Sequence, residues 1–342
     1  DRDLIKLWVD NSAEVVEWID KTMTAAGKSV LLDIHENHPT GGTDYYLPIV
    51  QHSWEPSYTY PMRNDLFAQA SQDAGNPVLY NCSLVRLVRE GRVVTGAICD
   101  YEGSLIRINA QRTIIATGGY AANGDMMADL APESTRYCAG TSALNETGDG
   151  IRMALWAGAA LEETGSAMVW NRALMGDGCG FGAPWGGTIF LPGSQPFLHV
   201  NQRGERFMNE DQQYPMSFSS CVKQPGHYAW EIFDGSCWED IQKFDTCGCS
   251  RLTPAPSGQA FNADVYDCEQ LSEEHLYTAW IDPNVQSGAL KRCDTLEELA
   301  EAMGMDEEAA ETFLQTVARY NELVSAGEDA DFGKPAYRMS AV

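Results

Sequence analysis

The chain has 342 residues, 44% hydrophobic and 21% charged, enough for a sizeable core and about two domains. A formal net charge of −26 speaks against nucleic acid or an anionic membrane surface as partner, because both need a basic face. Ten cysteines over this length make neither a dense disulfide framework nor a metal pattern, since the close pair Cys247-Gly-Cys249 lacks C-x-x-C spacing. No run of about 18 apolar residues marks a membrane span.

The chain opens at Asp1, without a methionine, inside an amphipathic helix carrying Leu4, Leu7, Trp8, Val15, Val16 and Ile19. This reads as a cut, so a leader on a longer parent is not visible. Gly27 to Ile34 is predicted as a strand. His35-Glu-Asn-His38 tempts a metal reading, but Pro39 and the glycines after it make an irregular loop, and no metal is expected. Tyr45 to Tyr60 reads as an aromatic loop and Arg63 to Ala74 as a helix stopped by Gly75-Asn-Pro77. Val78 to Glu90, Val93 to Tyr101 and Leu105 to Asn109 form a predicted β-meander turned at Glu90-Gly91-Arg92 and Glu102-Gly103.

Thr113-Ile-Ile-Ala-Thr-Gly-Gly-Tyr120 follows, predicted as a buried strand that ends where the backbone approaches something closely. Asn145-Glu-Thr-Gly-Asp-Gly150 then opens a helix carrying Ile151, Met153, Ala154 and Leu155. A glycine-lined helix start with free N–H groups and a positive dipole end suits an anionic or polyhydroxylic ligand. From about Gly165 the composition shifts to Trp, Gly and Pro with short strands, marking a second domain. Gly178-Cys-Gly-Phe-Gly-Ala183 fits a dinucleotide-binding pattern by letter. It lacks the preceding strand and is followed by Pro184, so it reads as a loop on the substrate side.

Phe197 to Glu210 reads as a hairpin turned by Asn201 to Gly204, Tyr228 to Asp234 as a strand, and Cys237 to Phe244 as a short helix. Thr295-Leu-Glu-Glu298 is a capping box for a helix that ends at Gly304. Asp306 caps another, with Phe313, Leu314, Val317, Tyr320 and Val324 on one face and Gly327 at its end.

Ala116-Thr-Gly-Gly-Tyr-x-x-Asn123 and Asn145-x-Thr-Gly-Asp-Gly-Ile-x-Met-Ala-x-x-x-Gly-Ala159 together resemble the flavoprotein family of fumarate reductases, succinate dehydrogenases, L-aspartate oxidases and 3-ketosteroid dehydrogenases. The resemblance implies an α/β plus α+β chain. Residues 1–164 would be part of an FAD-binding, Rossmann-like domain with a β-meander, lacking the N-terminal G-x-G-x-x-G unit. Residues 165–342 would be an α+β substrate-capping domain without the C-terminal flavin-binding segment, so the chain matches the middle of a full-length member.

It also implies FAD as cofactor, held by Leu84 through its backbone and by Ala116, Thr117, Gly118, Gly119, Asn123, Thr147, Gly148 and Asp149. For Asp149 a helix N-terminal charge role stands beside the cofactor role, and both are compatible. The run Asn201-Gln-Arg-Gly-Glu-Arg-Phe-Met-Asn-Glu210 resembles the family's capping-domain hairpin. Four residues on, the fumarate reductases carry an arginine as proton donor, where this chain has Tyr214. Trp170 stands where those enzymes place a histidine, and Ile189-Phe190 where they place a Thr-Glu pair, so Trp170 and Phe190 are candidate substrate-binding residues.

A carboxylate clamp needs cationic donors. Their replacement points away from fumarate and toward a bulkier enone or acrylate, reduced by hydride from flavin with Tyr214 as catalytic acid. A tyrosine, with an ordinary pKa of about 10, is protonated at neutral pH. A core tyrosine is the plain alternative. Two other functions stand beside this one: a 3-ketosteroid-type dehydrogenase, and a non-catalytic flavin-binding or electron-transfer protein. The partners implied are a small-molecule substrate and an electron-donor or electron-acceptor protein, in a bacterial cytoplasm or exported.

Overall fold

The computed structural model describes residues 2–35, 49–55, 60–139, 145–162, 165, 167–169, 173–176, 178–181, 188–244 and 272–342. Contacts divide the chain into two compact units, residues 1–78 with 237–277, and residues 79–236 with 278–342. The second unit holds the meander, the glycine loops and most of the second half of the chain.

In the first unit, helix α1 (Arg2–Ala25) leads into β1 (Ser29–His35), which pairs antiparallel with β2 (Ile49–Glu55), Ser29 opposite Glu55 and His35 opposite Ile49. The aromatic loop expected over residues 45–60 is therefore in part a strand: β1 supplies backbone partners along all of β2, which outweighs the absence of side-chain alternation. Helix α2 (Tyr60–Asp73) is tied to α1 by the stacked rings of Trp18 and Phe67, centroids 5.8 Å apart. Most of the apolar stripe on α1 stays open, with Leu4, Leu7, Trp8 and Val15 exposed and Met23 buried. The His35 to Gly42 loop beyond its first residue lies outside the described residues.

The second unit begins with the predicted meander, β3 (Cys82–Glu90), β4 (Val93–Tyr101) and β5 (Ser104–Asn109), in the order β3-β4-β5. Its turns lie at Gly91 (φ +62°) and Gly103 (φ +82°), where positive φ is free for glycine. The register shifts between Leu84 and Arg86, so Val85 is the extra residue of a bulge.

Residues 112–120 are not a strand. Ile114 is 91% exposed, and no strand among the described residues pairs with this segment. A β-branched run has strand propensity but no ladder of its own, and the expected strand fails for want of a neighbour. Every sheet among the described residues is antiparallel, so the parallel sheet of a Rossmann-like unit is not formed there. The chain is a mixed α/β protein with small sheets.

Short helices α3 (Gly124–Leu130), α4 (Pro132–Tyr137) and α5 (Asp149–Trp156) follow. β6 (Ala173–Leu174) and β7 (Thr188–Ile189) make a small hairpin-like pair. β8 (Leu198–Val200) turns at Asn201 to Gly204, where Asn201 N–H donates to Glu205 O at 3.0 Å and Val200 bridges Arg206. Its longer pairing is with β9 (Trp230–Ile232) beyond helix α6 (Tyr214–Val222), and that register sets His199 opposite Glu231.

The chain passes back through the first unit with α7 (Cys237–Phe244) and α8 (Glu273–His275), Cys247 and Cys249 lying outside the described residues. It ends in the second unit with α9 (Asp282–Gln286), α10 (Leu296–Ala302) and α11 (Glu307–Ala326). Both predicted caps form. Thr295 Oγ1 accepts from Glu298 N–H at 3.2 Å, and Asp306 Oδ1 from Ala309 N–H at 2.9 Å.

The core of this unit is built from α11, α10 and the β8–β9 pair. Phe313, Val317, Tyr320 and Leu323 bury one face of α11 against Leu198, Val200 and Ile232. A side chain at Gly204 (φ +75°) would overlap the backbone of Ala309 and Phe313, so the hairpin turn sits directly on α11. At its rim, Arg206 is held between the rings of Tyr320 and Phe332, each centroid 4.9 Å from the guanidinium carbon.

Candidate functional site

Two glycine-bearing loops of the second unit come together. Gly148 N–H donates to Gly119 O at 3.1 Å and Ala122 N–H to Glu146 O at 2.9 Å, so residues 117–123 and 146–150 run against each other. Asn123 fastens them: its Nδ2 donates to Thr147 O at 2.8 Å, while its Oδ1 caps α3 by accepting from Met126 N–H at 3.0 Å. Asn123 thus spends its amide on shaping the loops.

Gly118 (φ +75°) and Gly148 (φ +76°) adopt backbone that other residues rarely take. Gly148 is the N-cap of α5. A methyl at Gly150 would overlap Thr117 Oγ1 and press on Ile115, so the first turn of α5 sits tight on the Thr117 segment. Asp149, in that first turn, accepts from Thr147 Oγ1 at 2.7 Å and pairs with Arg152, and these hydrogen bonds hold its carboxyl below the usual range. Leu84 is half-buried in β3 beside the bulge, where the unpaired residue leaves backbone groups available.

These residues fit FAD. Side chains at Gly118 and Gly119 would be met by the end of the Glu146 side chain, the nearest heavy atoms at 3.2 and 2.9 Å, so the cradle is filled by a flexible group that can swing away. Thr117 to Gly119 and Thr147 to Asp149 would hold the cofactor at the start of α5, where N–H groups and the helix dipole favour its anionic and hydroxylated parts. Gly150→Ala is expected to cost about 1–3 kcal/mol through overpacking against Thr117. Thermal denaturation together with the FAD retained on purification checks it, and an unaltered melt with full flavin would show that Thr117 simply turns aside.

A cavity of about 1060 Å³ lies in the same unit, and Gly119, Tyr120 and Glu146 form part of its wall. The rest is largely aromatic and apolar, including Tyr137, Phe181, Phe190 and Phe218, and Lys291 is the one lysine or arginine among the described lining residues. Phe190 is buried, its ring edge-on to Trp280 with centroids 6.3 Å apart. Gly178, Cys179 and Phe181 of the glycine-rich loop line the cavity too, while Gly182 and Ala183 lie outside the described residues. Trp170 lies outside them as well.

Tyr214 opens α6 and is half-buried. It is not itself in the cavity wall, but Phe218 and Cys221, four and seven residues along the same helix, are. That spacing places Tyr214 on the cavity-facing stripe, one turn toward the helix start.

The sequence reading missed His199, His227 and Glu231, all in the wall. His227 has a left-handed backbone (φ +64°) and its Nδ1–H donates to Val222 O at 2.7 Å, with its ring against Tyr137. No local motif marks these residues, since β8, β9 and the turn before β9 meet only in the folded chain. Among the described residues no group of three His, Cys, Asp or Glu side chains is placed to hold a metal, and no helix is long and apolar enough to cross a membrane.

The family model described as FAD binding domain matches residues 1–340. The vinyl phenol reductase of Lactiplantibacillus plantarum is 31% identical over 234 residues, 67% of this chain and 44% of the relative. The 3-oxosteroid 1-dehydrogenase of Mycolicibacterium smegmatis is 32% identical over 296 residues, 78% and 43% respectively. The fumarate reductase (cytochrome) of Shewanella frigidimarina is 24% identical over 359 residues, 98% of this chain and 49% of the relative. The chain thus spans a little under half the length of these curated relatives. Among solved structures, the open conformation of a flavocytochrome c3 fumarate reductase shares the fold, with a TM-score of 0.55 at 24% identity over 97% of this chain and 49% of that one. With a match over residues 1–340, the chain belongs to the FAD-binding-domain family of flavoproteins, whose cofactor is FAD and among whose members are the fumarate reductases and the 3-oxosteroid dehydrogenases.

Proposed function

We propose that the whole protein is an FAD-dependent oxidoreductase acting on a C=C or CH–CH bond, and that its substrate is an enone or acrylate-type compound in preference to fumarate. The observation that carries this reading is the cavity wall: aromatic, roomy, and with Lys291 as the single Lys or Arg among its described residues. A small dicarboxylate needs convergent cationic donors, whereas a flat apolar substrate needs surface to bury. Relatives named for a vinyl phenol and a 3-oxosteroid support the same choice. FAD, when bound, supplies or accepts the hydride. Thr117 to Gly119 and Thr147 to Asp149 hold it, Leu84 meets it through backbone, Phe190 and Trp170 receive the substrate, and Tyr214 moves the proton. Residues 1–164 form the cofactor part and 165–342 the cap. The cavity volume and the oxosteroid relatives also favour a second reading, a ketosteroid-type dehydrogenase working in the oxidative direction.

The visible spectrum of the purified protein, bleached with dithionite under anaerobic conditions, tests this directly. Enones or aryl acrylates are expected to restore the oxidised flavin spectrum and fumarate is not. Rapid recovery with fumarate would overturn the substrate class.

A further inference from the structure

β8 and β9 set His199 and Glu231 directly opposite each other, and both side chains belong to the cavity wall. His199 Nδ1 lies 3.0 Å from Phe197 O. A carbonyl has no hydrogen to give, so Nδ1 carries one, and in the neutral ring Nε2 is bare. That nitrogen faces Glu231 Oε2 at 3.7 Å, and Glu231 Oε1 is buried with no hydrogen-bond partner among the described residues. Two unprotonated acceptors facing each other away from water repel, so the arrangement calls for a proton between them.

Charge balance decides where that proton resides. The groups around the pair are Glu210 and Lys334, with Arg206 acting on His199 and the Cys221 thiol beside Glu231. Arg206 and Lys334 are already matched by Glu210 and Asp329, two cations to two carboxylates. An ionised Glu231 beside a neutral His199 would leave this buried cluster one negative charge in excess. Burial pushes the Glu231 carboxyl well above its ordinary range and the His199 ring below its own. Both effects favour neutral Glu231 facing neutral His199.

We propose that His199 and Glu231 hold one proton in common at the cavity wall and supply it to the substrate's protonation step. In that step Tyr214 gives its proton to the substrate and the proton on Glu231 Oε2 makes good that loss; a carboxylate remains on Glu231, and solvent returns its proton afterwards. The supply role rests on the oxidoreductase reading above; the shared proton does not.

Infrared difference spectroscopy of the ligand-free protein tests the proton. A protonated-carboxyl band that shifts in D₂O is expected at neutral pH in the wild type and is expected to vanish in Glu231→Gln. Its absence from the wild type, or its persistence in the variant, overturns the pair. Stability gives a second reading: a carboxyl with a raised folded pKa stabilises fully below its unfolded pKa, and that contribution is lost as pH rises toward the folded value. The wild type should therefore lose melting temperature relative to Glu231→Gln as pH rises above the carboxylate range, and parallel curves would overturn it. In the flavin-loaded protein, Glu231→Gln should lower turnover about a hundredfold and remove the alkaline limb of the pH profile. Unchanged rate and profile would overturn the supply role. Failure of the substrate class is read separately, in a wild type that keeps its band but whose reduced flavin no enone reoxidises.

Discussion

Replacing Arg206 by methionine is expected to destabilise the second unit by about 3–5 kcal/mol, the cost of leaving buried charges without their partner. Arg206 donates to Glu210 from Nε and Nη2 at 2.9 and 2.8 Å, and to Asp329 from Nη1 and Nη2 at 3.0 and 2.8 Å. Both carboxylate side chains are fully buried. Burial drives both carboxyls upward, yet Lys334 and Arg206 hold Glu210 below its ordinary value. Arg206 and the backbone N–H groups of Lys334 and Phe332 hold Asp329 at about 2. Methionine fills the space between Tyr320 and Phe332 but answers neither carboxylate.

Domains have about 5–15 kcal/mol in hand, so this loss approaches unfolding. Urea denaturation near neutral pH measures it. The sign with pH is distinctive. In the wild type the depressed Asp329 contributes stability above its unfolded pKa that is lost only as pH falls through about 2. In the variant the uncompensated carboxyls take up protons at milder acidity, so the gap between the proteins should narrow as pH is lowered. A loss under about 1 kcal/mol, in the range of an exposed pair, would mean that water reaches these groups after all.

The second large effect is expected from Tyr214→Phe. If the phenol is the positioned acid, the flavin-loaded variant should lose about 10²–10⁴-fold in turnover, the usual contribution of a general acid. Flavin content and melting temperature should change little, because the ring and its half-buried place at the start of α6 are kept. A fall in turnover without a rise in KM assigns the hydroxyl to the transition state and not to binding. Turnover within about twofold of the wild type would remove Tyr214 from the chemistry and make it a packing residue. In that event a hundredfold loss in Glu231→Gln would place the acid in the wall of the cavity. The two variants thus separate a donor on α6 from one on β9.

The parts of this protein legible in its sequence are those made by neighbours along the chain. The caps at Thr295 and Asp306 bond three residues ahead, the meander turns use Gly91 and Gly103 at positive φ, and the glycines around 118 and 148 mark a close approach of chain segments. Each such signal closes within a few residues, so it survives without knowledge of the fold. Helical periodicity likewise gave the buried face of α11, with Phe313, Val317 and Tyr320 all in the core.

What tertiary structure alone decided are contacts between distant residues. Ile114 and Ile115 have the letters of a strand, but a strand needs a partner, and among the described residues none pairs with them. Ile49 to Glu55 has weaker letters and became a strand because β1 lies beside it. Arg206 reads as one cation of a hairpin, and only folding brings Asp329 and the rings of Tyr320 and Phe332 around it. His199 and Glu231 carry no motif; the β8–β9 register makes them face, and burial changes what each can hold. Local hydrogen bonding and periodicity are properties of the sequence. Strand pairing, burial and the electrostatics that burial brings depend on which distant segments the fold sets side by side.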